Sequence, residues 1–358
     1  MSPLRKLNQL GQSIWLDNLS RTLLRKGGLQ QLIENDGISG VTSNPSIFQK
    51  ALAESPYYHD DLTRLKASQA DAEKRYEALV IPDIQAACDL LLPAYQHSQG
   101  DDGYVSLEVS PHLAHDSEAT IAAAQRLRAT VNRPNLLIKI PGTAAGLAAF
   151  EQLISTGVSI NVTLLFSLRQ TVRVFEAYIR GLKQRQAQGG DLRSVKAVAS
   201  LFLSRVDTLV DKRLATLDAD AAQALTGRAA LITAKLAYQR YQDIFHGAMF
   251  ADLTRAGARP QYLLWASTGT KNPAYSDVKY LEALIGTETI NTVPDATLAA
   301  FRDHGRSELT LNHAIAAAEA DYIALENLGI DLNAVGDTLQ TEGLKLFADS
   351  YDKALASS

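Results

Sequence analysis

The sequence predicts a single (β/α)8 TIM barrel, an α/β fold, with additional helices and a helical C-terminal extension. Eight short apolar runs alternate with longer helical stretches along the 358 residues, and each run is followed by a helix. Polar residues recur at the carboxyl ends of these runs, where barrels of this kind carry their reacting groups. A doubly wound open sheet produces the same alternation and stays open as an alternative. No linker, repeat or low-complexity segment divides the chain, so we expect one domain over residues 1–358.

The individual strands are predicted from short runs of apolar residues bounded by turn-forming residues. These runs are Ser13–Asp17, Gly37–Thr42, Tyr104–Val109, Leu136–Ile140, Ser159–Thr163, Val195–Phe202, Gln261–Ser267 and Glu288–Val293. Between them, we expect a large helical insertion at about residues 57–95 and two or three helices over residues 204–256. The C-terminal helices should occupy about residues 312–358.

Composition and charge exclude several classes of protein. Hydrophobic residues make up 46% of the chain and charged residues 21%, a balance that gives a globular fold an ample core. The net charge of −4, without a basic patch, argues against nucleic acid and membrane partners. The N-terminus lacks the apolar segment of a signal peptide, and no run approaches a membrane span, so we expect a cytoplasmic protein. Cys88 lies in an amphipathic pattern and is predicted to be a buried structural thiol.

Lys139 is the residue whose predicted burial costs the most free energy, because its charged side chain interrupts the apolar run of the fourth predicted strand. Pro141 and Gly142 end that run. Burial disfavours the ammonium form, so the neutral amine becomes available to attack a carbonyl and form a Schiff base. The alternative is a strand-end lysine that extends its ammonium to water. The run alone leaves both interpretations open.

Other polar residues at the ends of predicted strands could complete a catalytic site. They are Asp17, Thr42, Asn44, Glu108, Asn161, Thr163, Ser200, Arg205, Ser267 and Lys271. Each alone has a structural explanation, such as a helix cap or a turn, and their coincidence at corresponding strand ends is what favours catalysis. His112 and His115 lack a third ligand, so no metal site is expected. Thr143 is predicted to be a helix N-cap, since the Gly-Lys-Ser/Thr of a phosphate loop is absent.

Six motifs follow one another along the chain. They are Trp15-Leu-Asp17, Thr42-Ser-Asn-Pro-Ser46, Ser106-Leu-Glu108-Val, Leu137-Ile-Lys-Ile-Pro141, Asn161-Val-Thr-Leu-Leu-Phe-Ser167 and Ser200-Leu-Phe-Leu-Ser-Arg205. In this order they resemble the motifs of the transaldolase family of Schiff-base aldolases, in particular its longer bacterial subfamily. The resemblance covers most of the chain and implies a (β/α)8 barrel.

The resemblance also implies an activity of the pentose phosphate pathway. Transaldolases move a dihydroxyacetone unit from sedoheptulose 7-phosphate or fructose 6-phosphate to glyceraldehyde 3-phosphate or erythrose 4-phosphate. Lys139 aligns with the Schiff-base lysine, and Asp17 with the carboxylate that takes and returns the proton of the C4 hydroxyl. Glu108 and Thr163 align with the pair that holds a water for carbinolamine dehydration. The partners are then sugar phosphates, with no cofactor.

The same resemblance assigns a group of substrate-binding residues. They are Asn44, Asn161, Ser200, Phe202, Arg205 and Lys271. The two asparagines match amides that bind the hydroxyls of the three-carbon fragment. Ser200 and Arg205 match the phosphate site, whereas Lys271 replaces an arginine of shorter relatives and can supply charge but no bidentate geometry. Phe202 stands where related lyases carry tyrosine, which favours a transferase.

Three other functions stay open from the sequence. A fructose 6-phosphate aldolase-like lyase would use the same Schiff base without an acceptor. A glycosidase would use Asp17 and Glu108 as its carboxylate pair and would not need Lys139. A non-catalytic sugar-phosphate-binding barrel would form no covalent adduct.

Two structural alternatives concern the C-terminal segment and assembly. Phe347 and Tyr351, four residues apart, either lie over the barrel mouth as part of a lid or pack as ordinary core. The sequence is compatible with a homodimer or a monomer.

Overall fold

Eight parallel strands form a closed barrel in the computed structural model, which describes residues 2–69, 71–217 and 220–358. The strands are β1 Gln12–Leu16, β2 Gly40–Thr42, β3 Val105–Glu108, β4 Leu136–Pro141, β5 Ile160–Leu165, β6 Ala197–Phe202, β7 Tyr262–Ala266 and β8 Thr289–Val293. Each strand pairs with its successor, and β8 pairs with β1 from Gln12↔Thr289 to Leu16↔Val293. The predicted barrel is confirmed, and the open sheet is excluded because its first and last strands would not pair.

All eight predicted strands are present, with bounds that differ by at most three residues. The largest difference is in β2, which begins at Gly40 instead of Gly37. A Cβ atom on Gly40 would lie 2.4 Å from the Trp15 ring, so glycine is what allows β1 and β2 to pair there. In β5 the register shifts after Val162, and Leu164 adopts a φ of +59°. Such irregularities re-aim a strand, and they are common beside active sites.

Helices connect the strands and pack around the barrel. Those of the described residues are α1 Pro3–Gln9, α2 Arg21–Arg25, α3 Gly28–Asp36, α4 Pro45–Glu54, α5 His59–Ser68, α6 Ala72–His97, α7 Ser117–Val131, α8 Ala144–Ser155, α9 Leu168–Ala187, α10 Ser204–Leu214, α11 Asp220–Leu225, α12 Ala229–Phe245, α13 Ala248–Arg255, α14 Lys279–Ala283, α15 Asp295–His304, α16 Ile315–Asn327 and α17 Leu332–Ser357. Short 3-10 turns cover Pro56–Tyr58 and Pro111–Leu113.

The section over residues 204–256 contains more helices than predicted. In its described part four helices form, α10 to α13, so the expectation of two or three is wrong. Gly227, with a φ of +74°, stands between α11 and α12, and Gly247 is the N-cap of α13. The positive φ of Gly227 favours glycine in the turn before α12. A Cβ on Gly247 would lie 2.1 Å from the Asp243 carbonyl oxygen, so the close approach before α13 requires glycine. Residues 218 and 219, before α11, lie outside the described residues.

The predicted helical insertion consists of α5 and α6. Helix α6 has 26 residues and is long and apolar enough to cross a membrane by those two criteria, so the expectation that no run approaches a span is wrong on this point. Its apolar face is nevertheless used inside the fold, since Leu79, Ile84 and Leu91 are fully buried. Cys88 is also buried on this helix, as predicted, and burial raises the pKa of its thiol to about 12. The helix therefore belongs to the packing of the barrel.

The amino-terminal end of the barrel is closed by polar side chains. The Trp15 indole N–H donates to Asp102 Oδ1 at 2.8 Å. Lys196 Nζ lies 2.7 Å from Asp101 Oδ1 and 3.6 Å from the centre of the Tyr262 ring, and the Lys196 side chain is buried. Because only the Lys196 side of this pair is buried, the cost of desolvating its ammonium group offsets part of the attraction between the two charges. The opposite end, where the strands finish, remains open to ligands.

Helix α17 lies across that open end. The Gln340 amide nitrogen donates to the carbonyls of Gly142 at 3.1 Å and Leu164 at 3.0 Å, which follow β4 and end β5. Close approach needs small residues, since a Cβ on Gly336 would lie 2.7 Å from the Ser167 Cβ. The C-terminal helices are therefore present as predicted, and the last one contacts the mouth of the barrel.

Candidate active site

A cavity of about 210 Å³ lies at the carboxyl ends of the strands. The resemblance implies four catalytic and six substrate-binding residues, and eight of these ten line the cavity: Asp17, Asn44, Lys139, Thr163, Ser200, Phe202, Arg205 and Lys271. The other two, Glu108 and Asn161, stand beside Lys139 on the neighbouring strands, where the register pairs Glu108↔Lys139 and Lys139↔Asn161. The strand ends thus gather the predicted residues in one place, as the barrel topology requires.

Lys139 projects from β4 into this cavity and is 4% exposed. Its Nζ donates to the Ser43 carbonyl at 3.2 Å and lies 3.3 Å from Glu108 Oε2. The alternative of a lysine that extends to water therefore does not apply. An amine held by one carbonyl and one carboxylate, with a cavity in front of it, is placed to attack a carbonyl carbon.

Glu108 ends β3 and shares the buried space with Lys139. Burial raises the pKa of its carboxyl to about 7, against the lowering effect of the Lys139 charge. Its Oε2 atom is paired with Lys139 Nζ, at 3.3 Å. A carboxyl group that titrates near neutrality can donate and accept a proton at working pH, which suits general acid–base catalysis.

Asp17 follows β1 on the other side of the cavity. Its Oδ1 accepts a hydrogen bond from the Thr42 hydroxyl at 2.8 Å, and Thr42 in turn lies 2.6 Å from the Thr292 hydroxyl. Burial raises the pKa of Asp17, whereas the charge of Lys139 and the Thr42 hydrogen bond lower it. The site therefore holds two carboxyl groups in different surroundings, which allows them to perform different proton transfers.

Thr163 lies on β5 with its hydroxyl turned into the buried site. Its Oγ1 atom has no hydrogen-bond partner in the described part of the chain. Buried hydroxyls are almost always partnered, so this atom marks a place where a bound molecule completes the hydrogen bonding. A water or a substrate hydroxyl fits that requirement.

The two predicted asparagines occupy different positions. Asn44 is the N-cap of α4, where its Oδ1 accepts from the Ile47 N–H at 3.0 Å, and it lines the cavity. Asn161 is fully buried behind the lining, donates to Ser106 Oγ at 3.1 Å and accepts from Ser200 Oγ at 2.7 Å. Its amide is thus engaged with two serines, and Ser200 is the one that faces the cavity.

Positive charge collects at the side of the cavity formed by β6 and β7. Arg205, the second residue of α10, has a buried Nη1 atom without a hydrogen-bond partner in the described ranges. Burial lowers the pKa of its guanidinium, and Glu342 opposes this effect. Lys271 lies in the loop after β7 and is exposed. The guanidinium centre stands 5.7 Å from the Phe202 ring centre. An anionic group of a ligand would satisfy the unpaired donor.

Some components of the site were not predicted from the sequence. Thr292 lines the cavity and bonds Thr42, and it was detectable as a polar residue near the end of the eighth predicted strand. The Ser43 carbonyl that binds Lys139 is a backbone atom, for which the side-chain pattern carries no signal. Phe347 from α17 also lines the cavity, which agrees with a position over the barrel mouth.

The remaining sequence candidates have structural roles. The Thr143 hydroxyl accepts from the Gly146 N–H at 2.9 Å, which confirms the predicted N-cap of α8. His112 Nε2 lies 2.7 Å from Asp352 Oδ1 on α17. Over residues 2–69, 71–217 and 220–358, no group of three or more His, Cys, Asp or Glu side chains is arranged to hold a metal ion.

Comparison with known proteins decides the family. The family model described as Transaldolase/Fructose-6-phosphate aldolase matches residues 14–358. The chain belongs to this family. A transaldolase of Thiobacillus denitrificans is 58% identical to it over 356 residues, which are 99% of both chains. A transaldolase of Neisseria gonorrhoeae is 46% identical, again over 99% of both chains.

A solved structure of the active domain 2 of a thermostable chitinase from Pyrococcus furiosus also matches. Its TM-score is 0.31 at 11% identity, over 82% of this chain and 95% of that one. A likeness this weak carries no argument about function. Membership of the transaldolase/fructose-6-phosphate aldolase family therefore rests on the sequence relatives and the family model, and it makes this chain an enzyme of that kind.

Proposed function

We propose that the chain is a transaldolase of the pentose phosphate pathway that forms a Schiff base at Lys139. It transfers a dihydroxyacetone unit from sedoheptulose 7-phosphate or fructose 6-phosphate to glyceraldehyde 3-phosphate or erythrose 4-phosphate. The observation that carries this proposal is the buried Lys139 amine, 3.3 Å from Glu108, at the floor of a cavity that Asp17 also lines. The names of the close relatives support the same activity.

Imine formation is assigned to Lys139, Glu108 and Thr163. The amine attacks the ketose C2 carbonyl, and the carbinolamine that results must lose water. Glu108, with a pKa of about 7, protonates the departing hydroxyl, and the unpartnered Thr163 hydroxyl holds the water that leaves. The iminium then draws electrons from the adjoining carbon chain.

Carbon–carbon cleavage is assigned to Asp17. Its carboxylate takes the proton of the C4 hydroxyl, the C3–C4 bond breaks, and the bonding electrons move into the iminium to form an enamine. The three-carbon fragment stays on Lys139, and the rest of the donor leaves as a shorter aldose phosphate. The enamine carbon then attacks the acceptor aldehyde, and Asp17 returns its proton to the new hydroxyl. This step leaves an iminium on Lys139, and addition of water at Glu108 and Thr163, the reverse of the dehydration, breaks its carbon–nitrogen bond and releases the ketose product. Thr42 fixes the Asp17 carboxylate through its hydrogen bond of 2.8 Å.

Substrate binding is assigned to the remaining cavity residues. Asn44 and Asn161 hold the hydroxyls of the three-carbon fragment, Asn161 in direct contact or through Ser200, to which it is hydrogen-bonded. Ser200, Arg205 and Lys271 bind the phosphate at the far end. Phe202 presents an apolar ring instead of a tyrosine hydroxyl that could position water for simple aldol cleavage.

We further propose a setting for the enzyme. It acts as a single-domain protein of the cytoplasm, as a monomer or homodimer, on sugar phosphates and without a cofactor. The net charge of −4 and the continuous buried core that the helices form with the barrel agree with a soluble metabolic enzyme.

A fructose 6-phosphate aldolase-like lyase is the second candidate, since the family contains both activities. The acceptor requirement separates them. Purified enzyme is incubated with fructose 6-phosphate, with and without erythrose 4-phosphate, and both sedoheptulose 7-phosphate and free dihydroxyacetone are measured. A transaldolase forms the heptulose phosphate and releases little dihydroxyacetone. Steady release of dihydroxyacetone at the same rate without acceptor would identify a lyase instead.

A further inference from the structure

Phe347 on α17 is the aromatic residue that stands over the reactive lysine. Its ring centre is 5.6 Å from Lys139 Nζ, its side chain is 3% exposed, and it lines the catalytic cavity. Phe202 lines the same cavity from β6. The cavity in front of the amine therefore has two apolar rings in its lining, in contrast to the polar Glu108 and Thr163 side chains beside Lys139.

The position of this ring is fixed by how α17 is attached to the barrel. The Gln340 amide binds the carbonyls that follow β4 and end β5, the strands of Lys139 and Thr163. Seven residues, or about two helical turns, separate Gln340 from Phe347, so both lie on the same helix face. Between them, Gly343 allows the helix to approach the barrel, since a Cβ there would lie 3.0 Å from Leu164 Cδ2.

We propose that Phe347 is a specificity-determining residue that shields the enamine from water and so directs it to the acceptor aldehyde. The inference rests on the proposed transaldolase function, and it explains why the enamine is transferred to an acceptor and not hydrolysed. An enamine on Lys139 has two fates. It either forms a bond to the acceptor carbonyl carbon, or it takes a proton on carbon and then adds water.

The second fate regenerates the enzyme without transfer. Protonation of the enamine carbon gives the iminium of dihydroxyacetone. Addition of water at C2 then gives a carbinolamine, which expels the Lys139 amine and releases dihydroxyacetone. The proton comes from Asp17 or from solvent, and the water comes from solvent, so an apolar ring that excludes solvent slows this path while leaving an organic aldehyde room to bind.

The test compares Phe347→Ala with two further variants of α17. Phe347→Leu keeps an apolar cover of smaller area. Tyr351→Ala is the matched control, because Tyr351 is equally buried one turn further on, contacts Tyr76 with ring centres 5.3 Å apart, and does not line the cavity. For each enzyme, fructose 6-phosphate and a saturating erythrose 4-phosphate concentration are supplied, and free dihydroxyacetone and sedoheptulose 7-phosphate are both quantified.

We expect Phe347→Ala to raise the ratio of dihydroxyacetone to heptulose phosphate by about tenfold or more, the effect of a modest change in relative barriers. Phe347→Leu should give an intermediate ratio, and Tyr351→Ala the wild-type ratio. An unchanged ratio in Phe347→Ala, or the same rise in Tyr351→Ala, would overturn the proposal. If Phe347→Ala fails to fold, the ratio in Phe347→Leu decides in the same way. Absence of a borohydride-stable adduct in the wild type would instead show that the proposed Schiff-base function is wrong.

Discussion

Glu108 Oε2 lies 3.3 Å from Lys139 Nζ, and both side chains are 5% exposed. The register of β3 and β4 brings the two side chains together, since Glu108 and Lys139 are direct neighbours on these strands. Burial makes the two groups depend on each other, because a charge on either one is stabilised mainly by the other. The proton needed for imine formation is therefore held beside the amine that forms the imine.

Glu108→Gln should slow imine formation and change its dependence on pH. The protonated carboxyl is the acid for carbinolamine dehydration, so the wild-type rate of adduct formation should decline as pH rises through about 7. The glutamine variant should be slower by roughly 10² to 10⁴ and lose this decline. Rapid-quench borohydride trapping with fructose 6-phosphate measures both. Glu118→Gln, an exposed position on α7, is the control, and a decline near pH 7 that persists in Glu108→Gln would remove Glu108 from this role.

The same raised pKa predicts how stability depends on pH. Glu108 has a folded pKa of about 7, above its ordinary value of 4.5, so the folded state holds the proton more tightly than the unfolded chain. The resulting stability is fully present below pH 4.5 and is lost as pH rises to 7. Between pH 4.5 and pH 7, the free energy of unfolding of the wild type should therefore fall by about 3 kcal/mol, and that of Glu108→Gln should not show this fall. Urea unfolding of both proteins at pH 4.5 and pH 8 measures the difference, and a difference independent of pH would contradict the raised pKa.

Asp17→Asn should separate imine formation from transfer. The variant keeps Lys139 and Glu108, so we expect it to form the fructose 6-phosphate adduct at nearly the wild-type rate. Without the carboxylate base, formation of sedoheptulose 7-phosphate should fall by roughly 10² to 10⁴. Asp295→Asn is a close control, because Asp295 is a neighbouring carboxylate that bonds Asn18 and does not line the catalytic cavity. Unimpaired transfer in Asp17→Asn would assign the proton transfer elsewhere.

Arg205→Lys should weaken binding of phosphorylated substrates selectively. Lysine keeps the charge but loses the planar pair of donors, and the buried Nη1 atom of Arg205 is the unsatisfied one. We expect KM for fructose 6-phosphate to rise about tenfold, with a smaller rise for Lys271→Ala because Lys271 is exposed. Unphosphorylated fructose serves as the comparison substrate in steady-state assays. An equal loss of kcat/KM on fructose and its phosphate would mean that the change disturbs the site as a whole.

The sequence predicted the barrel, and it predicted most of the residues that line the candidate site, because both depend on local pattern. A run of apolar residues around Lys139 specifies a buried strand, and a closed parallel barrel then brings every strand end to one place, including Asp17 from the first strand and Arg205 after the sixth. Cys88 and Thr143 were predictable for the same reason, since a helix face and an N-cap are defined by residues close in the chain.

What the sequence could not predict depends on contacts between distant segments. Gln340 binds carbonyls 198 and 176 residues away, and no pattern near Gln340 specifies that contact. Asn161 was expected to face the substrate, yet its amide bonds Ser106 and Ser200, because side-chain networks form only after the strands are in register. The positive φ of Leu164 in β5 was likewise not predictable, because the residue there is not a glycine.

The most direct test of the account is to identify the residue that bonds the substrate. The enzyme is incubated with fructose 6-phosphate, reduced with borohydride, digested and mapped by mass spectrometry, alongside Lys139→Arg and Lys196→Arg, the latter a second buried lysine at the other end of the barrel. We predict a three-carbon or six-carbon adduct on Lys139 in the wild type and in Lys196→Arg, and none in Lys139→Arg. An adduct on any other residue, or a wild-type enzyme that is active but forms no adduct, would contradict the Schiff-base mechanism.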